Sequence, residues 1–326
     1  MAGQVNASPT DGVGTLAGRL SALRAGGNSR IIGLTGSVAS GKTTLARQVS
    51  ERLEPRHSVE TVSTDGFLFP NAILQERGLI MRKGFPETFD RAGFVEALAG
   101  IRGGAADFPA HSHEIYDIDP ALMRTIRLPD ILILEGLGFQ PPTRPDRTEG
   151  EPDVLIYLDA EEADLEFWYV ERFVGFWNAA RTDSKSFYAQ WLHMSEPELR
   201  AFAKTVWDGV NLPNLRDHIH PLKDHADIVI RKDRAHTVEI FEDRTAWRGL
   251  RPRATAAHQC GGGAPSSGSG PIVCAIVAYC SPSFATCRVS RSISFHCAIT
   301  VLFRSSITSS WWTMRVSSVS MRSVSV

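Results

Sequence analysis

A glycine-rich segment near the N-terminus, GLTGSVASGKTT, has the residue types and the spacing that hold phosphate groups. It fits the pattern G-x-x-x-x-G-K-[ST] and lies between a predicted strand over 31–35 and a predicted helix over 44–53. The backbone N–H groups of such a loop bind phosphate oxygens, a lysine reaches the β and γ phosphates, and a hydroxyl can ligate Mg²⁺. The nucleotide-binding residues predicted from this loop are Gly36, Ser37, Ser40, Gly41, Lys42, Thr43 and Thr44.

Two acidic residues stand where predicted strands end, Asp65 in STDGF and Glu135 in DILILEG, and such ends face the ligand crevice of a parallel sheet. Asp65 could accept the proton of an attacking hydroxyl or hold a water on Mg²⁺, or it could form a turn before Gly66. Glu135 has the Walker B position and predicts a magnesium site with Thr43; the alternative is an acid that caps the strand without an ion. A third acid, Asp159, predicts the N-cap of the helix that follows it.

One predicted helix, in DLEFWYVERFVGFW, places an arginine among aromatic side chains. Residues three and four positions apart share a face of this helix, namely Tyr169, Arg172, Phe173 and Phe176. Arg172 could stack on a ring there and direct its charged fork at a phosphate. The helical pattern alone favours a surface arginine that pairs with Glu171 or Glu166.

Five apolar segments, rich in β-branched side chains and bounded by turn residues, predict the strands that carry these residues. Their hydrophobicity is continuous rather than alternating, which indicates a parallel sheet covered on both faces. Helical stretches between them predict right-handed crossovers. We therefore expect an α/β, P-loop NTPase fold with a doubly wound, mainly parallel sheet and helices on both faces. The five segments are RIIGLTG, VETVSTD, DILILEG, DVLIYLD and ADIVIRKD.

The composition argues against several classes of protein. The 326 residues carry a net charge of −1, which provides no field for nucleic acid or an anionic membrane. No apolar run approaches the roughly 20 residues that cross a bilayer, and residues 1–29 have no secretory signal pattern, so a cytoplasmic protein is expected. All 5 cysteines lie in the last quarter of the chain, at spacings that favour neither a disulfide framework nor a zinc site.

The composition also divides the chain into three segments. An N-terminal extension, 1–29, precedes a P-loop domain over 30–248. From Gly249 onward the sequence contains no Asp, Glu or Lys, and serine becomes frequent, beginning with GGGAPSSGSG. For this segment, 249–326, we expect a poorly ordered, appended tail, with a small β-rich accessory module as the alternative.

A P-loop by itself serves GTPases, ATPase motors and small-molecule kinases. A GTPase also requires an N-K-x-D guanine motif, which does not occur in this sequence. The D-x-x-G pattern at Asp90 to Gly93 is too short to distinguish these classes. The residues at the strand ends must therefore decide which group accepts the phosphate.

Seven motifs, in this order, resemble those of the bacterial type I pantothenate kinases: GSVASGKTT, STDGFLFPN, RKGFPETFD, HSHEIYDI, PDILILEG, WYVERF and NLPNL. The resemblance spans residues 30–243. The P-loop is generic, but TDGFLFPN together with RKGFPETFD is specific. Uridine kinases and phosphoribulokinases share the P-loop kinase architecture without these strings.

The resemblance implies ATP-dependent phosphorylation of pantothenate, the first step towards coenzyme A, with Mg²⁺ as the metal. It makes Asp65 the catalytic base and places Lys42 and Thr43 on phosphate and metal. It also assigns Arg172 to the transferring phosphoryl group, which reverses the interpretation drawn from the helical pattern alone. The acceptor pocket that it implies is lined by His113, Tyr116, Tyr169 and Asn211.

Other positions that match the family concern the nucleotide and regulation. Arg47 matches a position that contacts the inhibitor coenzyme A, and Lys232 and His236 match positions near the nucleotide. The family also implies a homodimer. Two departures bear on function: His111 stands where the family usually has a tyrosine, and the loop after Glu135 reads GLGFQ instead of a version that contains asparagine.

Three alternatives remain open on the sequence. The histidines of AHSHEIYDI, His111 and His113, have the ligand types of a zinc site, but no third convergent ligand is evident. A P-loop kinase of a nucleoside, sugar or glycerate is the second alternative, and a non-catalytic nucleotide-binding regulator is the third. Retention of the base Asp65 argues against the regulator, because a protein that only binds needs no base.

Overall fold

A computed structural model describes residues 11–24, 29–112, 114–141, 150–183 and 185–245, and the backbone alone of 299–304 and 311–316. The chain divides into two compact units, 1–253 and 254–326. In the second unit, strands β11 (Ile299–Arg304) and β12 (Trp311–Val316) pair antiparallel. The rest of the predicted tail lies outside the described residues, so its expected lack of order stays a prediction.

The first unit alternates helices with strands. Its helices are α1 Gly12–Leu23, α2 Lys42–Leu53, α3 Asn71–Glu76, α4 Arg91–Arg102, α5 Glu162–Ala179, α6 Glu196–Val206, α7 Leu212–Asn214 and α8 Leu222–His225. Its strands are β1 Arg30–Gly36, β2 Val59–Ser63, β3 Ala105–Phe108, β4 His111–Ser112, β5 Asp117–Ile118, β6 Arg124–Arg127, β7 Ile131–Glu135, β8 Val154–Asp159, β9 Ile228–Lys232 and β10 Val238–Asp243. Two π-helical turns, Trp207–Asn211 and Leu215–Ile219, flank α7.

The central sheet has six strands in the order β10-β9-β8-β1-β7-β2. All neighbours in it pair parallel except β10, which pairs antiparallel with β9. The order changes direction at β1, and at such a switch point the carboxyl ends of the strands open a crevice for ligands. The predicted α/β, P-loop NTPase fold with a mainly parallel, doubly wound sheet is confirmed.

All five predicted strands form. The segment RIIGLTG coincides with β1, and the others are shorter than the segments that predicted them by one to three residues. The difference between the predicted and observed strands that matters most for the site is in β2. This strand ends at Ser63, so that Asp65 lies in a 3-10 turn over Thr64–Phe67. The antiparallel edge strand β10 and the small pairs β3–β6 and β4–β5 were not predicted, because each is short or half exposed.

Successive residues of the strands enter two separate cores, one on each face of the sheet. Leu132 and Leu134 of β7 pack with α4 and the start of α5, whereas Ile131 and Ile133 pack with α1 and α2. All four side chains are at most 2% exposed. Burial on both faces explains why the strand sequences are continuously apolar.

Helix α1 lies within the segment predicted as an N-terminal extension. Its N-cap, Asp11, accepts a hydrogen bond from the backbone N–H of Gly14, and the helix packs against α2 and β10. Leu16 and Leu20 are each 1% exposed in the core beside α2. This helix therefore covers one face of the sheet and supports the helix that begins at the P-loop.

The predicted N-cap role of Asp159 is wrong. Helix α5 begins at Glu162, and Asp159 instead remains at the end of β8, where its carboxylate pairs with Lys223 at 2.7 Å. The chain continues for two residues before the helix begins, so Asp159 is too far from the free backbone N–H groups of its first turn. Glu162 and Asp164 supply the negative charge at that helix N-terminus.

Candidate active site

The P-loop connects β1 to α2, and its backbone requires glycine at two positions. Gly36 has φ 150°, and a Cβ added to it would lie 2.5 Å from the carbonyl oxygen of Leu158 on β8. Gly41 has φ 91°, and its added Cβ would lie 2.6 Å from Nζ of Lys232. Both conformations are unfavourable for L side chains. The glycines of the motif thus let the loop turn tightly against β8 and β9.

Lys42 is buried, at 8% exposure, and its ammonium is folded back onto the loop. Nζ donates hydrogen bonds to the carbonyl oxygens of Ser37 at 2.8 Å and Gly36 at 3.2 Å. Burial lowers the pKa of Lys42, and the negative charges of Glu135 and Asp65 oppose that shift. When phosphate oxygens enter the loop, this ammonium can replace its hydrogen bonds to the loop carbonyls with hydrogen bonds to phosphate after only a small movement.

Thr43 and Glu135 lie next to each other at the ends of α2 and β7. The hydroxyl of Thr43 donates a hydrogen bond to Oε1 of Glu135 at 3.0 Å. Burial raises the pKa of Glu135, whereas the charge of Lys42 and the hydrogen bond from Thr43 lower it. A hydroxyl and a carboxylate are hard oxygen ligands, so the pair fits the coordination chemistry of Mg²⁺.

Asp65 lies at the carboxyl edge of the sheet, in the turn that follows β2. The side chain that caps this turn is Ser63, whose hydroxyl accepts a hydrogen bond from the backbone N–H of Asp65 at 3.3 Å. The Asp65 carboxylate is close enough to Lys42, Glu135 and Tyr116 to shift the pKa of each. These interactions place the Asp65 carboxylate near the P-loop lysine, within the turn Thr64–Phe67, and its role as a base stays a prediction.

Gly66, the next residue, fixes where this turn sits. A Cβ on Gly66 would lie 1.8 Å from the carbonyl oxygen of Pro109 and 3.1 Å from the backbone nitrogen of Ala110. The two backbones therefore pack in direct contact, which only glycine permits. This contact joins the Asp65 turn to the segment that leads into AHSHEIYDI.

Arg172 extends from the middle of α5 on the aromatic face predicted for it. Its guanidinium lies 5.2 Å from the ring centroid of Phe176, and its charge affects the pKa values of Lys42, Glu135 and Tyr116. Arg172 is exposed, as the helical pattern alone predicted, but among the described residues it forms no ion pair with Glu171 or Glu166. Those two carboxylates pair instead with α6, Glu171 with Arg200 and Glu166 with Lys204.

Tyr116, Tyr169 and Asn211 come together on one side of this cluster. Asn211 ends a π-helical turn and forms a side-chain hydrogen bond with Tyr169, whose pKa is raised by burial to about 12. Burial also raises the pKa of Tyr116. His113, the fourth residue predicted for this pocket, lies outside the described residues.

Three residues that adjoin this pocket are absent from the predicted set. Phe187 stacks on Tyr116 with ring centroids 4.3 Å apart and an interplanar angle of 11°, and Tyr188 packs edge-on against Phe173 at 5.3 Å. Lys83 donates to the carbonyl oxygen of Tyr116 at 2.7 Å. Lys83 is part of the motif RKGFPETFD, which identified the family without indicating which member of the motif reaches the site.

Lys232 and His236 lie on the other side of the P-loop, next to Trp168. Nζ of Lys232 donates to the carbonyl oxygen of Ser40 at 2.8 Å and lies 4.6 Å from the Trp168 ring centroid. His236 stacks on the same indole at 4.9 Å. This flat, aromatic edge of the site is suited to a nucleotide base.

Thr44 and Arg47 extend from the exposed side of α2. Arg47 pairs with Glu51 at 2.6 Å, one turn further along the helix. The structure thus brings Lys42, Asp65, Glu135 and Arg172 together with the tyrosines. Arg47 forms its ion pair with Glu51 instead of with a member of this group.

Within the described part of the chain, no group of three or more His, Cys, Asp or Glu side chains is arranged to hold a metal ion. His111, half of the zinc alternative, contacts Nζ of Lys83 through Nε2 at 3.0 Å. The other half, His113, lies outside the described residues. None of the helices in the same described residues is long and apolar enough to cross a membrane.

Comparison with known proteins gives strong relatives by sequence. The chain is 41% identical over 227 residues to the pantothenate kinase of Nocardioides sp., covering 66% of this chain and 69% of that protein. It is 41% identical to the pantothenate kinase of Cutibacterium acnes, covering 64% and 67%, and 39% identical to that of Streptococcus pyogenes, covering 64% and 70%. No protein-family model matches the chain.

Similarity to solved structures is weaker. A D-glycerate 3-kinase from Cryptococcus neoformans aligns with a TM-score of 0.46 at 14% identity, covering 70% of this chain and 99% of that one. Phosphoribulokinase from Rhodobacter spheroides aligns with a TM-score of 0.42 at 13% identity, covering 63% and 71%. The evidence for the fold is the sheet order and the P-loop geometry described above.

Proposed function

This chain belongs to the pantothenate kinase family, and on that premise we propose that it transfers the γ-phosphoryl group of ATP to pantothenate. The product is 4'-phosphopantothenate, and the reaction is the first step of coenzyme A biosynthesis. The observation that carries the proposal is the convergence of Asp65 and Arg172 beside the P-loop lysine, with Tyr116 adjoining them. A protein that only binds a nucleotide needs neither a base nor a second cation at this position.

The P-loop fits the triphosphate of ATP. Buried hydroxyls of Ser37 and Ser40 have no hydrogen-bond partner among the described residues, and Lys42 Nζ is bound only to loop carbonyls there. Such groups gain hydrogen bonds when phosphate oxygens enter the loop. Trp168, Lys232 and His236 then adjoin the base and sugar.

Thr43 and Glu135 would hold Mg²⁺, and a bound metal ion supplies charge neutralisation for the β and γ phosphate oxygens. The donor set supports this assignment, since it pairs a hydroxyl with a carboxylate at 3.0 Å. The nearby positive charge of Lys42 lowers the pKa of Glu135 and so favours the ionised carboxylate that a metal ion needs.

The acceptor hydroxyl loses its proton to the carboxylate of Asp65 as its oxygen bonds to the γ phosphorus. The bond between that phosphorus and the β,γ-bridging oxygen breaks, and ADP leaves with the electron pair. Lys42 and Arg172 stabilise the negative charge on the transferring group. Most of the rate enhancement in such a site comes from placement and electrostatics, because no covalent intermediate with the protein is required.

Tyr116, Tyr169 and Asn211, with His113, form the pocket for pantothenate in this proposal. A buried phenol that stays protonated donates a hydrogen bond, and the raised pKa values of both tyrosines support that state. An amide side chain beside them both donates and accepts, which suits an acceptor that carries an amide and a carboxylate.

Regulation, assembly and location complete the proposal. Coenzyme A acts as a feedback inhibitor that reaches Arg47, which requires the pair between Arg47 and Glu51 to open. The enzyme is a homodimer and works in the cytoplasm. Inhibition of wild-type turnover by coenzyme A, with weaker inhibition of the Arg47→Ala variant, would support the regulatory part.

The experiment that tests the activity measures ADP release from ATP and Mg²⁺ by the full chain with pantothenate, uridine, glycerate or fructose as acceptor. We expect release with pantothenate, together with a product of the mass of 4'-phosphopantothenate. Wild-type protein that turns over only another acceptor, or none, would overturn the proposal. The variant Asp65→Asn controls for a contaminating kinase, because it should remove the signal.

A further inference from the structure

Tyr116 has an unusual backbone conformation. Its φ is 54°, and among the described residues only Ala39, Tyr116 and His236 are non-glycine residues with positive φ. A bulky residue is disfavoured in the left-handed region of φ, and it keeps this conformation only where several surrounding contacts stabilise it. Contacts to both the backbone and the ring of Tyr116 stabilise this conformation.

Two side chains from the segment after β2 hold the main chain of Tyr116. Its carbonyl oxygen accepts hydrogen bonds from Nζ of Lys83 at 2.7 Å and from Nδ2 of Asn71 at 2.9 Å. Lys83 also donates to Oδ1 of Asn71 at 2.8 Å, which closes a triangle of polar contacts. The backbone N–H of Asn71 donates to Oδ1 of Asp117, the residue after Tyr116, at 2.9 Å.

The ring of Tyr116 is held as well. Phe187 stacks on it at 4.3 Å, Nζ of Lys83 lies 4.4 Å from its centroid, and His111 meets it edge-on at 5.5 Å. The phenol is within electrostatic reach of Asp65 and Arg172. Fixing the backbone and the ring together fixes the direction of the phenol.

We propose that Asn71 and Lys83 form a clamp on the Tyr116 carbonyl that keeps this residue in its left-handed conformation and directs its phenol at the acceptor substrate. They are positioning residues, since they act through Tyr116. The proposal rests on the proposed function, which assigns Tyr116 to the pantothenate pocket. It adds a specificity role for the motifs TDGFLFPN and RKGFPETFD, each of which supplies one half of the clamp.

All three N–H donors of Lys83, the lysine half of the clamp, have an acceptor. Its ammonium has three N–H donors, and three acceptors lie within 3.0 Å: the oxygen of Tyr116, Oδ1 of Asn71 and Nε2 of His111. Lys83 also carries a charge close to Asp65, so replacing it changes electrostatics as well as position. Asn71 is neutral, and it is therefore the cleaner residue for a test.

The test compares the full-length variants Asn71→Ala and Asn71→Asp with wild type. The first removes both side-chain contacts, and the second keeps an acceptor for Lys83 but loses the donor to the Tyr116 carbonyl. Asn178→Asp is the matched control, since Asn178 is exposed on α5 and its Oδ1 accepts a hydrogen bond from Nε of Arg181 at 3.3 Å. Steady-state kinetics with pantothenate and ATP are measured for each protein.

The same proteins are labelled with meta-fluorotyrosine for fluorine NMR. The chain has 5 tyrosines, and the Tyr116 resonance is identified by its absence in Tyr116→Phe. In both Asn71 variants we expect this resonance to shift or broaden and the pKa of the labelled phenol to fall, because an unclamped phenol becomes more exposed to water. The KM for pantothenate should rise about tenfold or more, with the KM for ATP unchanged, since small misplacements in such sites are costly.

An unchanged Tyr116 resonance together with an unchanged KM for pantothenate in both Asn71 variants would overturn the clamp while leaving the proposed function intact. Equal losses in the KM for ATP and for pantothenate would also overturn it, because they indicate general disruption. Should wild type phosphorylate no pantothenate, the proposed function fails, and the fluorine spectra still decide whether Asn71 holds Tyr116.

Discussion

The hydroxyl of Thr43 donates a hydrogen bond to the carboxylate of Glu135 over 3.0 Å, although 92 positions separate the two residues in the chain. They meet because β1, which leads into the P-loop, pairs in parallel with β7, which ends at Glu135. Adjacent parallel strands deliver their carboxyl ends to the same edge of the sheet. The resulting pair is the structural basis for the magnesium site proposed above.

Replacing Glu135 by glutamine should raise the Mg²⁺ concentration that turnover requires. Glutamine preserves size but removes the negative charge that attracts the ion, so the half-saturating Mg²⁺ concentration should rise by roughly tenfold or more. A titration of initial rate against free Mg²⁺ measures this change. Glu196→Gln, which alters an exposed ion pair with Arg200, is the control, and equal Mg²⁺ requirements in both variants would contradict the assignment.

The variant Asp65→Asn should lower kcat by about 10²- to 10⁴-fold, because general-base catalysis is lost. ATP affinity, measured by equilibrium binding, should change little, since the P-loop supplies the phosphate contacts. Asp217→Asn removes an exposed carboxylate from the helical region after α7 and serves as the control. Wild-type turnover in Asp65→Asn would exclude this carboxylate as the base.

Arg172→Ala should lower kcat by about 10³-fold or more, as expected when a cation that stabilises the transferring phosphoryl group is removed. Arg172→Lys should recover only part of the rate, because a lysine lacks the planar fork of donors. Arg181 is the matched control: its guanidinium lies 4.1 Å from the ring centroid of Trp177 and so also stacks on an aromatic side chain next to this helix. Similar losses in Arg172→Ala and Arg181→Ala would indicate a packing role for both.

Gly66→Ala should destabilise the protein by about 1–3 kcal/mol and also reduce kcat, because the new methyl group would force the Asp65 turn away from Pro109. Gly175→Ala should have the opposite effect on stability. That glycine lies inside α5 with no atom within 4 Å of an added Cβ, and alanine is favoured in a helix by about 1 kcal/mol. Urea unfolding of the two variants measures both effects, and destabilisation of equal size would refute the steric argument.

The KM for pantothenate should rise as the pH passes through about 8. Burial lowers the pKa of Lys83 to about 8, while the charges of Asp117 and Asp65 oppose the shift. The folded protein therefore loses this proton at lower pH than the unfolded chain, and the neutral amine has only two donors for three acceptors. For the same reason, this group should make the folded state more stable relative to the unfolded state as the pH rises from about 8 towards the ordinary lysine pKa of 10.5.

Lys83→Arg provides the control for that pH profile, since arginine stays charged throughout the range. Its KM for pantothenate should be higher than wild type at neutral pH and flat through pH 8. His111, Tyr116, Asp117 and Asp65 are the titratable groups that face Lys83. A rise of equal size in Lys83→Arg would assign the pH dependence to one of them.

Much of this architecture follows from the sequence because its causes are local or periodic. Continuous apolar segments predicted five of the six central strands, and the spacing of Gly36, Gly41, Lys42 and Thr43 predicted the P-loop between β1 and α2. The strand-end positions of Asp65 and Glu135 predicted that both would face the loop. The N-cap at Asp159 failed because the start of a helix depends on where the strand before it stops pairing.

Tertiary structure alone decided how the surroundings of Arg172 and Tyr116 are built. The helical pattern of α5 favoured a surface arginine paired with Glu171 or Glu166. Arg172 is exposed, but the packing of α6 pairs those two carboxylates with Arg200 and Lys204. Lys83 and Asn71 meet Tyr116 from 33 and 45 positions away. A sequence pattern indicates local structure, because it depends on residues that are close along the chain. A clamp on a carbonyl oxygen depends on where two distant segments meet. The packing of the whole sheet sets that meeting point.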